Sequence, residues 1–355
     1  MRYKFSDLYY DDTKNAKKLK SSEYKNVGKY IIVDQGKSLI AGYTDDEDGL
    51  YADVPAIIFG DHTRNIKYID SPFFLGADGT KVLKSPLKNV NYKYLYYLLK
   101  NASIPDTGYN RHFKWLKELI FKCHSQEQQN RIVTILDKLD LTITKYREEL
   151  SLLDELVKAR FVEMFGDPIS NSKDLPIKKM NDIAPICQYK GPFEDDVWLL
   201  NLDMVESQSG RIIKHNIVRM DEIGGSVCTF DENNILYSKL RPYLNKVVIP
   251  DGKGYATSEL VPLLPNNKVI NRTYLAYLLR SNEFVEMIKE KVAGAKMPRV
   301  SMNDFREFNV PVPPLELQNQ FASFVEQIDK SRSHIQKSLE ASQELFDSLM
   351  QEYFG

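Results

Sequence analysis

The sequence predicts an α+β protein in which two tandem globular domains are each followed by one long helix, with the two helices paired as an antiparallel coiled coil. The first observation is an internal repeat, because residues 116–166 align with 305–355 at a constant offset of 189 without a gap. The second is that each repeat ends in apolar residues with heptad spacing. The third is a set of short strand-like runs upstream of each helix. Two copies of one unit predict a pseudo-two-fold relation within the chain.

The aligned repeats are identical at eleven of 51 positions. These positions are Glu118/Glu307, Glu127/Glu316, Gln129/Gln318, Asn130/Asn319, Asp140/Asp329, Leu150/Leu339, Glu155/Glu344, Leu156/Leu345, Glu163/Glu352, Phe165/Phe354 and Gly166/Gly355. Further upstream, residues 94–99 match 274–279, and residues 57–64 match 235–242 more weakly.

The first long helix is predicted over residues 125–166. Ser125 and Gln128 form a capping-box pattern at its start, and Gly166 followed by Pro168 marks its end. Arg160 occupies one position of the apolar seam. The other seam positions, spaced alternately by four and three, are Ile132, Leu136, Leu139, Ile143, Tyr146, Leu150, Leu153, Val157 and Met164.

The second long helix is predicted over residues 313–355, with Pro313 and Pro314 preceding its apolar seam and Arg332 and Ser342 as polar interruptions of that seam. A single heptad stretch is as typical of a coiled coil between two chains as of one within a chain. Two seams of equal length and phase in one chain instead favour pairing with each other. The seam residues are Phe321, Val325, Ile328, Ile335, Leu339, Phe346, Leu349 and Tyr353.

The globular domains are predicted over residues 1–124 and 167–312. Residues 92–99 and 274–291 are expected to be helices. Strands outnumber helices without regular alternation, which favours α+β over a doubly wound sheet. The strand-like runs, bounded by Gly, Pro, Asp and Asn, are 31–33, 56–59, 198–200, 235–237 and 246–249.

Composition places the chain among cytoplasmic globular proteins. No long apolar run or apolar leader is present, and three cysteines without a C-x-x-C pair suggest neither a disulfide framework nor a zinc site. The net charge is −1, yet residues 1–125 carry a balance of +5, while the two helices together are acidic. A nucleic-acid contact would therefore be a local basic patch.

The sequence contains no complete catalytic motif of the common enzyme classes. The segment Gly36-Lys37-Ser38 resembles the end of a phosphate-binding loop, but Ile31 stands where that motif requires glycine. The metal-dependent nuclease, amino-methyltransferase, zinc-protease and nucleophile-elbow patterns are incomplete or missing. We therefore expect a non-catalytic protein that holds no cofactor or metal of its own.

Two stretches resemble a known family. Residues 305–318, FREFNVPVPPLELQ, resemble the strand–proline–proline–helix entry of the specificity subunits of type I restriction-modification systems. Residues 59–64 resemble a stretch common in the target-recognition domains of those subunits. The resemblance covers essentially the whole chain, and the paired repeat is its most specific part.

This resemblance implies that each globular domain reads one half of a split target in double-stranded DNA, while the helices set the spacer and dock two methylation subunits. S-adenosylmethionine would belong to the methylation subunits, and ATP and magnesium to motor-nuclease subunits. The alternative is a coiled-coil scaffold or adaptor with two protein-binding domains, which the zero charge balance of residues 167–312 favours.

Three loops in each copy combine residue types that suit base edges and phosphates. The post-strand loop covers residues 61–64 in the first copy and 239–246 in the second, and a glycine-flanked loop covers residues 35–37 and 188–191. A polar turn, predicted to include Tyr109 in the first copy and Met297 in the second, is one of the three. In the first copy the candidate DNA-binding residues are Lys37, His62, Thr63, Arg64, Asn110 and Arg111. In the second they are Lys190, Lys239, Arg241, Tyr243, Lys246, Lys296 and Arg299.

Among these residues Arg241 is the preferred base reader, because Pro242 is expected to hold it in an extended backbone, and Lys246 is expected to bind phosphate. Surface charge without a role is the alternative for any single cation. Arg111 and Arg299 would otherwise pair with Glu118 or Asp304, and His62 would otherwise lie in the core.

Overall fold

The computed structural model describes residues 1–76, 78–108, 110–293 and 296–355. Packing divides the chain into two compact units, the first formed by residues 1–147 with 337–355 and the second by residues 148–336. Each unit holds one globular half and a part of both long helices. In the described part of the chain, every helix is too short or too polar to cross a membrane.

The first unit contains strands and helices in irregular order. Its strands are Arg2–Lys4 (β1), Tyr10–Asp11 (β2), Tyr30–Val33 (β3), Gly42–Thr44 (β4), Ala56–Gly60 (β5), Ile66–Ile69 (β6), Phe73–Leu75 (β7), Thr80–Lys84 (β8) and Ile120–Lys122 (β9). Its helices are Phe5–Leu8 (α1), Tyr92–Lys100 (α2), Phe113–Leu116 (α3) and the start of Gln126–Phe165 (α4).

The described strands of the first unit form an antiparallel sheet in the order β2-β8-β5-β6, a sheet in the order β4-β3-β7, and the ribbon β1-β9. Only β3 and β7 pair in parallel among these strands. Strand β5 is buried along its whole length, which explains why its sequence is continuously apolar. The loop that follows Gly60 carries several of the candidate residues.

The second unit has a similar content. Its strands are Ile177–Lys179 (β10), Asp196–Leu200 (β11), Ile217–Arg219 (β12), Val227–Phe230 (β13), Ile235–Ser238 (β14), Val247–Val248 (β15), Gly254–Thr257 (β16), Leu260–Leu263 (β17), Val292–Ala293 (β18), Arg299–Val300 (β19) and Asn309–Pro311 (β20). Its helices are Met180–Ile183 (α5), Arg272–Arg280 (α6), Asn282–Lys289 (α7), Met302–Arg306 (α8) and the start of Leu315–Phe354 (α9).

The described strands of the second unit form sheets in the orders β12-β11-β16-β13 and β15-β14-β17, with the ribbons β10-β20 and β18-β19. Here β11 and β16 pair in parallel. The ribbons β1-β9 and β10-β20 have the same role, because each joins the first strand of a globular half to the segment that enters its long helix. The two halves of the chain are thus built on one plan.

Each long helix is 40 residues, or about 60 Å, long. The predicted capping box is confirmed, because the Ser125 N–H donates to the Gln128 side chain and the Gln128 N–H donates to the Ser125 hydroxyl. Gly166 ends α4 with a positive φ of 72°, a conformation that favours glycine. The start of the helix and its end are therefore as the sequence predicts.

The helices pair in antiparallel orientation. In the first unit, the start of α4 and the end of α9 share one apolar core that contains Leu136, Ile143 and Phe346. In the second unit, the end of α4 and the start of α9 share another that contains Phe161 and Phe321. In each unit the start of one long helix packs against the end of the other, which confirms the predicted antiparallel pairing.

Two local predictions are wrong. Arg160 is not the seam residue of α4: the neighbouring Phe161 is buried against Phe165 and Phe321, while Arg160 pairs with Glu163 near the surface. Burial of a phenylalanine side chain is favourable in free energy, whereas burial of an arginine guanidinium is costly, so the seam shifts by one residue there. The helix expected over residues 274–291 is also broken at Ser281, whose extended backbone caps α7 through the Phe284 N–H.

Candidate nucleic-acid interface

In the first unit the three predicted loops lie together. The buried Asp61 carboxylate, after β5, accepts the Phe113 N–H at 2.7 Å, and the Asp61 carbonyl accepts the His112 N–H at 2.8 Å. These bonds hold the turn at residues 110–113 beside the post-strand loop. The Thr63 hydroxyl donates to the Gln35 carbonyl at 2.6 Å, which adds the loop that carries Lys37.

Several candidate side chains in this unit are already engaged. Arg64 has a positive φ of 60°, and its guanidinium bonds the Asp106 carboxylate at 2.6 Å and the Ile104 carbonyl at 3.3 Å. It therefore anchors a loop, which weakens its prediction as a DNA contact. The Asn110 side-chain amide donates to the Thr107 carbonyl, and its main-chain N–H donates to the Gly108 carbonyl at 2.8 Å, so both of these donor groups are engaged.

Two of the candidate cations in the first unit are not bonded within the described residues. Lys37 and Arg111 are exposed, and among the described residues neither forms an ion pair or side-chain hydrogen bond, so Arg111 does not pair with Glu118. His62 is half-buried, with its main-chain N–H directed to the Gln35 side chain at 3.3 Å. Tyr109, predicted for the same turn, lies outside the described residues.

In the second unit the post-strand loop and the polar turn are also brought together. The Arg241 N–H donates to the Pro298 carbonyl at 2.8 Å, and the Val300 N–H donates to the Lys239 carbonyl at 2.9 Å. Leu240 forms a β-bridge with Arg299. Lys239, Arg241 and the segment from Lys296 onward therefore share one face of this unit.

The expected backbone of Arg241 is wrong. Its φ of 48° and ψ of 63° are left-handed rather than extended, and Asn245 is left-handed as well, on the far side of the turn Pro242–Leu244. The tight turn and the Arg241–Pro298 bond outweigh the usual preference of a residue before proline. The Arg241 side chain is exposed in this left-handed conformation.

Two other cations of this unit hold the fold together. The Lys246 ammonium donates to the Leu202 carbonyl at 2.6 Å, and burial lowers the pKa of Lys246. Arg299 forms two-pronged bonds with the Glu259 carboxylate, the shorter at 2.7 Å, rather than pairing with Asp304. The bond from Lys246 to the Leu202 carbonyl weakens its prediction as a phosphate ligand.

The third predicted loop of the second unit does not join this face through any hydrogen bond of the described residues. The Tyr189 carbonyl accepts the Thr229 hydroxyl at 2.6 Å, on β13, and Lys190 is exposed beside it. Tyr243, 41% exposed, is in the turn after Arg241, and its carbonyl accepts the Gln208 amide at 3.0 Å. The arrangement thus differs between the two units.

Sequence reasoning missed the acidic partners that decide which cations are available. Asp106 and Glu259 are separated from Arg64 and Arg299 by 42 and 40 residues, respectively. Hydrogen bonding to Arg299 is the main reason that the pKa of Glu259 is lowered, against a smaller opposing effect of burial. No local pattern signals such pairs. What remains exposed among the described candidates is a set of Lys and Arg donors, suited to guanine edges and phosphates.

The fold and these loops define a class of protein: tandem α+β domains with paired loops of basic and amide side chains, joined through antiparallel helices. A family model described as type I restriction modification DNA specificity domain matches residues 6–152 and 206–342. The chain therefore belongs to this family, and its role is that of a DNA-specificity subunit.

Individual relatives agree with this assignment. The specificity subunit of the type I restriction enzyme EcoR124I/EcoR124II of Escherichia coli is 20% identical over 92% of this chain and 86% of its own length. The EcoDI specificity subunit of Escherichia coli is 27% identical, over 38% of this chain and 30% of its own length. The crystal structure of an S subunit from M. genitalium has the same fold, with a TM-score of 0.62 at 16% identity and coverage of 100% of this chain and 96% of that one.

Proposed function

We propose that the protein reads a split DNA target, with one half read by residues 1–124 and the other by residues 167–312, while the helices at 125–166 and 313–355 hold the two readers at a set spacing. The observation that carries this proposal is that each unit independently brings a post-strand loop and a polar turn onto one face. A duplicated reader fits a target in two parts.

Arg241 is our first candidate for a base-specific contact, and Lys296 is our first candidate for a phosphate contact. Arg241→Ala, in the complex with methylation subunits, should cost about 1–3 kcal/mol at one base pair and relax the preference there. Lys296→Ala should weaken all sequences alike and lower the salt slope by about one. Binding to duplexes with single substitutions, followed by fluorescence anisotropy, measures both.

The matched control is Arg219→Ala, which removes an exposed arginine on β12 that pairs with Asp221. It should leave specificity unchanged. If Arg241→Ala lowers affinity equally for cognate and scrambled DNA, Arg241 contacts the backbone. If neither Arg241→Ala nor Lys296→Ala lowers affinity, this face does not touch DNA.

The long helices are proposed to dock two methylation subunits, one on each repeat. Leu156 and Leu345 are identical repeat positions, and they are 47% and 50% exposed although apolar. The glutamates before them, Glu155 and Glu344, are exposed too. A surface present twice fits two copies of one partner.

Leu156→Asp and Leu345→Asp should each reduce the complex from two methylation subunits to one, and the double variant to none, as measured by native mass spectrometry. Ser151→Asp, which adds the same charge at another exposed position of α4, is the control. Retention of two subunits by both single variants would contradict this docking surface.

The chain itself is proposed to be non-catalytic, with S-adenosylmethionine bound by the methylation subunits and ATP and magnesium by motor-nuclease subunits. The absence of a complete catalytic motif from the sequence supports this. The purified chain, mixed with DNA and all three small molecules, should neither methylate, cleave nor hydrolyse ATP, and methyl transfer should begin on addition of the methylation subunit. Any activity that co-purifies with the chain alone would refute the proposal.

A further inference from the structure

Each long helix carries an asparagine near its start, and the side chain of this asparagine is hydrogen-bonded to the N-cap residue of a helix in the globular half, α2 in the first unit and α6 in the second. In the first unit the Asn91 side-chain NH₂ donates to the side-chain Oδ1 of Asn130 at 3.0 Å. In the second unit the Asn271 side-chain NH₂ donates to the side-chain Oδ1 of Asn319 at 2.9 Å. Asn130 and Asn319 are equivalent positions of the repeat, so the same bridge is present in both copies.

The direction of these bonds follows from the capping role of the donors. The Asn91 Oδ1 accepts the Tyr94 N–H at 3.1 Å at the start of α2, and the Asn271 Oδ1 accepts the Thr273 N–H at 2.8 Å at the start of α6. Each capping side chain therefore presents its NH₂ group to the long helix. The group that receives it on Asn130 or Asn319 has to be an acceptor.

The helix of the globular half that provides each Asn–Asn hydrogen bond is fixed in place by a buried tyrosine. Tyr94 and Tyr274, in the first turns of α2 and α6, are buried, and the Tyr274 hydroxyl donates to the Pro311 carbonyl at 2.8 Å. Asn130 and Asn319 are instead exposed near the starts of their helices, where alanine would be a better helix former. Helix stability alone does not call for asparagine at these positions.

We propose that Asn130 and Asn319 are positioning residues that hold each globular half at one angle on the helix it enters, and so set how strictly the spacing between two DNA half-sites is measured. This rests on the proposed reading of a split target. Each bridge links the body that carries the recognition loops to the start of the element that holds the spacing. Without it, the shared apolar core still joins the domain to its helix, but the angle between them is held less tightly, and a wider range of spacings becomes acceptable.

The test uses the full chain assembled with methylation subunits and a duplex target selected from a random-sequence pool. Affinity is measured for the native spacer and for spacers one base pair shorter and longer, a displacement of about 3.4 Å. Asn130→Ala and Asn319→Ala should reduce the preference for the native spacer about two- to tenfold while leaving base preference within each half unchanged. Asn130→Asp and Asn319→Asp, which keep the acceptor oxygen, should restore the preference, and the exposed neighbour variant Gln320→Ala should not alter it.

Equal weakening of all spacers by the alanine variants, or no change in spacer preference, would overturn the positioning role. A wild-type complex that selects no two-part target would overturn the proposed function instead. In that case, amide hydrogen exchange of α2 and α6 in the chain tests whether the Asn–Asn hydrogen bonds anchor the domains. Faster exchange in the alanine variants, reversed by aspartate, supports their anchoring of the domains, and unchanged exchange refutes it.

Discussion

The shift of the α4 seam from Arg160 to Phe161 can be tested with two adjacent alanine variants. Phe161 is 3% exposed and packs on Tyr274, Phe165 and Phe321 with ring centroids 5.7, 5.1 and 5.5 Å away, respectively. Truncation of a buried phenylalanine costs about 3–5 kcal/mol, and ring pairs of this geometry add about 0.5–1.5 kcal/mol beyond burial. We therefore expect Phe161→Ala to lie in the upper part of the range of about 3–5 kcal/mol.

Arg160→Ala should cost much less. The Arg160–Glu163 pair, at 2.8 Å, has side chains that are 41% and 67% exposed. Such a pair contributes about 0–1 kcal/mol, and the Phe324 ring, 6.0 Å from the guanidinium, adds about 0.5–1 kcal/mol at most. The two variants should therefore differ by about 2–4 kcal/mol in the free energy of unfolding.

Urea unfolding followed by tryptophan fluorescence measures this difference in the relevant unit. The chain has two tryptophans, Trp115 in the first unit and Trp198 in the second. In a Trp115→Phe background, Trp198 alone reports the unfolding of the second unit. Phe161→Leu, which keeps much of the apolar volume, should fall between wild type and alanine. Equal losses for Phe161→Ala and Arg160→Ala, or a larger loss for Arg160→Ala, would refute the shifted seam.

Three further predictions concern other parts of the molecule. The folded-state pKa of Glu259 lies below its ordinary value of 4.5, so its pairing with Arg299 stabilises the fold above that pH, and the stabilisation is lost as the pH falls through the lowered pKa. Glu259→Gln should therefore be less stable than wild type at pH 7 in urea melts, and the difference should disappear once the pH is below the lowered pKa. Burial raises the pKa of Cys228 to about 11, so iodoacetamide at pH 8 should label Cys187 well before Cys228 in the native chain, and equal labelling rates before unfolding would contradict its burial. Leu139→Asp should cost several kcal/mol by placing a carboxylate in the helix seam, and an unchanged circular dichroism melting midpoint would count against the paired helices.

The sequence alone determined the features that repeat or have a period. The constant offset between residues 116–166 and 305–355 identified two copies of one unit, and heptad spacing identified two helices that pair with each other. These features are readable because an apolar seam needs a residue at every third or fourth position, wherever the partner helix lies. The runs at 56–59 and 235–237 were recognised as strands for a similar reason, since buried strands are continuously apolar.

Only the tertiary structure decided which candidate side chains are available for DNA. Arg64, Lys246 and Arg299 have the same local character as Arg111 and Arg241, but the first three are bound to acidic or carbonyl groups about 40 residues distant. A charged group is free for a partner only if no nearer group in the fold satisfies it, and those neighbours come from other loops and strands. Local sequence encodes the type of donor, whereas packing of distant segments determines whether that donor faces the fold or the solvent.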